Sequence, residues 1–172
     1  VKIRRAISSD ADQISEIYLP IVKETNISFE LEPPDSEEIA RRICTTLDTH
    51  EWLVAYDQSG ITGYAYASHY RPRHAYRFTV ETTAYVHERC RGQGLGKNLY
   101  EALFSSLESL GFHTAYAGIA LPNQASIALH KAAGFESIGV FQSAGFKFGK
   151  WHDVAWWQRT VSSSKRKNTT VV

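Results

Sequence analysis

Two hydrophobic spacings alternate along this chain, and their order predicts its elements. Lys2 to Ala6 reads as a short first strand. Ile14, Ile17, Tyr18 and Ile21 then share one helix face behind Ser8-Ser9-Asp10, which supply N-cap candidates. Pro20 is expected to kink or interrupt that helix. Thr25 to Pro34 reads as a loop carrying Phe29 and Glu30, and Ser36-Glu37-Glu38 opens a second helix through Ile39, Ile43 and Leu47. Trp52 to Tyr56 and Ile61 to Tyr70 form a predicted hairpin around Asp57-Gln58-Ser59-Gly60. A strand from about Phe78 to Val86, rich in β-branched residues, precedes Arg91-Gly92-Gln93-Gly94-Leu95-Gly96-Lys97. Leu95, Leu99, Leu103, Leu107 and Leu110 mark a helix ending at Gly111. Thr114 to Ala120 is a further strand, and Pro122-Asn123 starts a short helix through Ile127, Ala128, Ala132 and Ala133, stopped by Gly134. Phe135 to Val140 and Lys150 to Val161 are the last predicted strands, joined by Phe141 to Gly149. The order predicts one α/β domain (α+β by some schemes) over residues 1–161, with a mixed sheet and helices on both faces. Residues 162–172 read as a polar, flexible tail.

The glycine-rich turn carries the chemistry. A turn of this kind opening a helix leaves backbone N–H groups unpaired at the positive end of the helix dipole, ready for a phosphate or pyrophosphate. A P-loop needs glycine where Arg91 stands and Ser or Thr where Asn98 stands. A dinucleotide fingerprint, G-x-G-x-x-G, does not match Gly92-x-Gly94-x-Gly96. The pattern R-x-x-G-x-G does match, and it resembles the pyrophosphate loop of the GCN5-related N-acetyltransferases, which bind acetyl-coenzyme A.

Composition narrows the partners. The chain has 172 residues, 43% of them apolar, and a net charge of +1, so no overall field points to nucleic acid. Lys165-Arg166-Lys167 reads as solvated charge. There is no long apolar run for a membrane span, and Val1-Lys2-Ile3-Arg4-Arg5 lacks the apolar segment of a signal peptide. Cys44 and Cys90 are the only cysteines, and the histidines show no metal-binding spacing. A cytoplasmic protein without a metal, a nucleic-acid partner or a membrane is expected.

Four further segments resemble one branch of that superfamily, the phosphinothricin N-acetyltransferases and their relatives acting on methionine sulfone and methionine sulfoximine. They are Arg71-Pro72-Arg73-His74-Ala75-Tyr76, the strand Thr79 to Val86, Gly118-Ile119-Ala120-Leu121-Pro122-Asn123, and Ala144-Gly145-Phe146-Lys147-Phe148-Gly149-Lys150-Trp151-His152-Asp153-Val154. The resemblance covers about residues 2 to 161. It implies a mostly antiparallel sheet in which two parallel strands splay apart around acetyl-CoA. Ala84, Tyr85 and Val86 would bind pantetheine through their backbone, and Arg91, Gly92, Gln93, Gly94, Leu95 and Gly96 would hold the pyrophosphate. Asn123 would bind the pantetheine arm. Phe29, Arg77, Phe78 and Thr79 would contact a small amino-acid-like acceptor, and a homodimer is implied.

Acetylating an amino group needs a base, because the α-amine of an amino acid is mostly protonated near neutrality. Glu81, an acid among Val, Thr, Ala and Tyr, is the candidate, since a desolvated carboxyl has a raised pKa. Alternatively its side chain points to solvent or pairs with Arg77. His130 follows Asn123 by about two helical turns, so both project from one face, and it is the candidate acid toward the departing thiolate. Alternatively it is a satisfied, packed histidine. Cys90 reads as a bystander, Trp151, Trp156 and Trp157 as core or interface residues, and His152 and Asp153, adjacent on a strand, as facing opposite ways. Two other functions fit the same residues: an acetyltransferase for another amine (polyamine, aminoglycoside or protein N-terminus), and a non-catalytic acyl-CoA-binding sensor.

Overall fold

The computed structural model describes residues 1–162; the remainder of the predicted tail, with Lys165-Arg166-Lys167, lies outside the described residues. The elements run β1 (Lys2–Arg5), α1 (Ala11–Glu24), α2 (Ser36–Leu47), β2 (Trp52–Asp57), β3 (Gly60–His69), β4 (Thr79–Val86), α3 (Leu95–Ser109), β5 (Thr114–Ala120), α4 (Gln124–Ala132), β6 (Glu136–Lys147) and β7 (Lys150–Thr160). One seven-stranded sheet has the order β1-β2-β3-β4-β5-β7-β6, with β4 and β5 parallel and every other neighbour antiparallel.

Strand alternation sends side chains to two cores. Ile14, Ile17, Ile39 and Ile43 of α1 and α2 pack on Val54 and Tyr64 on one face. Leu99, Leu103 and Leu107 of α3 pack on Ala55, Ala65, Val80 and Ala115 on the other. Each of these fully buried leucines contributes roughly 2 kcal/mol of burial free energy.

One expectation is corrected in part, the interruption at Pro20, and one in full, the loop expected from Phe141 to Gly149. Helix α1 runs through Pro20 without interruption. The missing proline N–H costs one bond, about 3 kcal/mol, and Ile17, Tyr18, Ile21 and Val22, buried on both sides of it, hold the helix together. The segment Phe141 to Gly149 is mostly strand: β6 extends to Lys147 and turns tightly into β7 through Phe148 and Gly149, both at positive φ. Register shifts near Ser137/Gly139 and Phe141/Gly145 let β6 follow β7 over that length.

Candidate active site

The parallel pair is short. Strands β4 and β5 are in register only at Thr79–Thr114, Val80–Ala115 and Glu81–Tyr116. Beyond that point β5 stays with β7 up to Ala120–Val154, while β4 stays with β3 up to Val86–Gly63. The sheet therefore forks at Glu81 and Tyr116, and the Thr82 hydroxyl donates to the Tyr116 carbonyl at the apex (3.2 Å). A cavity of about 610 Å³ opens in the fork, lined by residues 82–86 of β4, the end of β5, the glycine turn and one face of α4.

One bank of the fork is backbone. The His87 N–H donates to the Thr62 carbonyl (2.9 Å). In an antiparallel ladder this sets alternate residues toward β3, so Tyr85 turns its N–H and C=O there while Ala84 and Val86 turn theirs to the cavity. The Tyr85 carbonyl lies so close to Gly63 that a Cβ there would sit 2.9 Å from it. Of the three expected backbone contacts, Tyr85 is thus available only through its side chain, which packs on Tyr18 and Tyr64.

At the end of that bank, the first internal bond of α3 is from the Asn98 N–H to the Gly94 carbonyl (3.2 Å). Among the described residues, the amides of Gly92, Gln93, Gly94, Leu95, Gly96 and Lys97 find no acceptor. Gly92 (φ +74°) and Gly94 (φ +78°) adopt the left-handed conformation that turns these amides outward, with open space around both. Gly96 has a different role: it lies buried in the first turn of α3, and a Cβ there would press on Leu129 of α4 at 3.0 Å. Arg91 is exposed beside the turn, its Nε 3.4 Å from the Val86 carbonyl. Gln93 folds its side chain back to the Arg89 carbonyl (3.1 Å). A row of free amides at a helix start, next to an arginine, fits a pyrophosphate.

The opposite bank ends in α4. Asn123 Oδ1 caps that helix by accepting from the Ser126 N–H (3.0 Å), which leaves its amide NH2 for the cavity it lines. His130 lines the same cavity, as the spacing from Asn123 requires. Its Nδ1 lies 2.7 Å from the Ser126 carbonyl, and a carbonyl only accepts, so Nδ1 carries the proton. Burial lowers the ring's pKa and keeps it neutral near pH 7. Nε2 then accepts from the Tyr100 hydroxyl (3.0 Å). Tyr100, on α3, lines the cavity and is held protonated by burial, which raises its pKa. Sequence reading missed Tyr100 because it shares a helix with the leucine stripe and looks like one more core aromatic.

Glu81 stands at the apex. It shares a strand face with Thr79, Thr83 and Tyr85, on the α1–α2 side, whereas Tyr100 and His130 approach from the α3–α4 side. The fork thus separates a carboxylate on one face of the sheet from a tyrosine–histidine pair on the other. Glu81 is half-buried, burial raises its pKa, and its carboxylate makes no hydrogen bond or ion pair among the described residues. Arg77 does not pair with it: its guanidinium lies over the Phe78 ring at 4.4 Å and reaches the His74 carbonyl. Arg77 and Phe78 are exposed on the approach to β4, and Thr79 is half-buried at its start. Phe29 lies against the β6–β7 hairpin, with its ring 6.1 Å from that of His152. Glu30 accepts from Tyr18 (2.9 Å) and forms a two-pronged ion pair with Arg42 (2.7 and 3.2 Å).

Residues 3–156 match the acetyltransferase (GNAT) domain family. The chain belongs to the GNAT acetyltransferase family. A phosphinothricin N-acetyltransferase of Streptomyces viridochromogenes is 38% identical over 159 residues, 92% of this chain and 87% of that one. An L-methionine sulfoximine/L-methionine sulfone acetyltransferase of Salmonella typhimurium is 34% identical over 157 residues, 91% of this chain and 92% of that one. Among solved structures, a GNAT superfamily phosphinothricin acetyltransferase from Sinorhizobium meliloti in complex with acetyl-CoA superposes with a TM-score of 0.90. It is 39% identical, and the match covers 95% of this chain and 90% of that one. As in any GNAT acetyltransferase, acetyl-CoA is the co-substrate here, and the fork and its free amides fit it.

Proposed function

We propose that this GNAT acetyltransferase transfers acetyl from acetyl-CoA to the amino group of a small amino-acid-like acceptor of the phosphinothricin, methionine sulfone or methionine sulfoximine type. The observation that carries the reading is the fork, which opens beside an unpaired carboxylate. Acetyl-CoA supplies an activated thioester. The amides of residues 92–97, the Arg91 guanidinium, the cavity-facing backbone of Ala84 and Val86 and the Asn123 amide would hold it. Glu81 takes a proton from the acceptor's ammonium group, and the freed amine attacks directly in a ternary complex. The Val86 N–H faces the cavity and can stabilise negative charge on the acetyl oxygen. On the other face, the Tyr100 hydroxyl turns from His130 Nε2 toward the departing thiolate. His130 thus acts through Tyr100, because its own proton is committed to the Ser126 carbonyl. Arg77, Phe78, Thr79 and Phe29 form the acceptor side.

The test is a steady-state comparison of phosphinothricin, methionine sulfone, methionine sulfoximine, spermidine and an alanine-initiated peptide, with coenzyme A release followed by a thiol reagent. Turnover of at least one of the first three, well above spermidine and peptide, is expected. Turnover confined to the peptide or the polyamine overturns the acceptor class, and binding of acetyl-CoA without turnover of any amine points to a sensor.

The assembly we propose is a homodimer. Strand β6 ends the sheet with an open edge, and Ile138, Val140, Phe141 and Phe146 on it, Phe148 in its turn and Trp151 at the start of β7 are all about half-exposed or more. Apolar patches of that kind on an edge strand are normally covered. Light scattering on the purified chain is expected to give twice the 19.4 kDa chain mass. Replacing Phe146 and Trp151 together with Asp is expected to give the monomer; a wild-type monomer would refute the assembly.

A further inference from the structure

The segment between α1 and α2, residues 25–34, forms neither helix nor strand, yet it carries Phe29 and Glu30. Tyr18 and Arg42 hold Ser28 and Glu30 from the helices, and two further side-chain anchors tie the segment to the β5–β7 part of the molecule. Asn26 Nδ2 donates to the Leu121 carbonyl (3.1 Å) and to His152 Nδ1 (2.9 Å). His152 keeps that lone pair free because its Nε2–H is committed to the Lys147 carbonyl (3.0 Å). The second anchor is Lys147 itself. Its ammonium donates to the Val22 carbonyl (2.6 Å) and the Ser28 carbonyl (2.8 Å), tying the end of α1 to the middle of the segment.

Lys147 is 3% exposed and forms no ion pair among the described residues; the Phe148 ring lies 5.0 Å from its Nζ. A buried cation whose hydrogen bonds go only to carbonyls, helped at longer range by Glu30 and the Phe148 ring, is an expensive way to gain stability, since an apolar side chain of that length would need no desolvation. Its neighbours suggest what it does instead. Gly145 and Lys147 are the two buried positions of β6, on one face of the strand. A Cβ at Gly145 would overlap the Phe29 ring. One strand face therefore supplies both the clamp on Ser28 and the seat for Phe29, the next residue.

We propose that Lys147 is a positioning residue for the acceptor: together with Gly145 it fixes Ser28 and Phe29 against β6, and so the place of Phe29 on the acceptor side of the fork. This rests on the acceptor class proposed above. The cavity end of the segment, where Ile27 lines the fork, is held separately by Asn26, so acceptor and acetyl-CoA binding are separable.

The test uses the full chain with Lys147→Met, which keeps the length and removes the donors. The acceptor KM for methionine sulfone is expected to rise about tenfold or more, with kcat changed by less than about threefold and acetyl-CoA affinity within about twofold. Hydrogen exchange is expected to quicken in residues 22–31 and not in β4 or β5. Gly145→Ala should raise the acceptor KM in the same way, and the double variant should be no worse than the poorer single, because both act on one segment. Unchanged acceptor KM overturns the proposal, as does an equal loss of both substrates with faster exchange throughout, the sign of general destabilisation. If Lys147→Met does not fold, the Gly145→Ala split between acceptor and acetyl-CoA decides. If the wild type turns over none of the acceptors, the acceptor class fails, and the exchange pattern alone judges whether Lys147 fixes the segment.

Discussion

Replacing Glu81 with Gln is expected to lower kcat/KM by about two to four orders of magnitude, the usual range for removing a general base. Acetyl-CoA affinity should be unchanged, because Glu81 sits at the apex of the fork, just outside the cavity wall that starts at Thr82. Burial raises the Glu81 pKa, so the wild-type rate should fall with decreasing pH from a value above the ordinary carboxylate range, and this limb should vanish in Glu81→Gln. The variant should also be more stable. A folded-state pKa above the unfolded one means that the charged carboxylate costs stability: the cost is absent below the unfolded pKa, grows between the two pKa values and is complete above the folded one. Glutamine removes that cost, and a higher Tm near neutrality is expected by calorimetry. Full turnover in Glu81→Gln would leave the base elsewhere.

The second large effect belongs to the glycine turn. Gly94 caps α3 at φ +78°, which a β-branched residue does not tolerate. Gly94→Val should re-aim the free amides and raise the acetyl-CoA dissociation constant at least about tenfold, or about 1.4 kcal/mol, by calorimetry. Gly96→Ala works differently: its Cβ meets the end of the Leu129 side chain, so it should act on α3–α4 packing and leave acetyl-CoA affinity closer to the wild type than Gly94→Val does. If Gly94→Val binds acetyl-CoA as the wild type does, the turn is not the phosphate site.

Most of the fold was legible in the sequence, because nearly every element has one buried face and therefore a period. Strand β6 was the exception: its residues are exposed except Gly145 and Lys147, so no alternation marks it, and glycines and register shifts break what remains. The glycine turn and Glu81 stood out by residue type and spacing, whereas Asn123, and His130 by its spacing from Asn123, were singled out through the resemblance to the acetyltransferases. What could not be read was made of long-range pairs. Tyr100 meets His130 across two helices, and Lys147 reaches carbonyls at Val22 and Ser28 whose acceptor role no side chain announces. The direction of the Tyr85 backbone likewise follows from pairing with β3 rather than from the strand's own residues.

With only three rungs between β4 and β5, the two halves of the sheet are joined at that seam mainly by the core packed beneath them. A molecule lodged in the fork touches both halves and adds its binding free energy to the folded state. Saturating coenzyme A should therefore quiet deuterium uptake along both banks at once, including residues it does not touch. The substrate carrier would then be part of what holds the enzyme together.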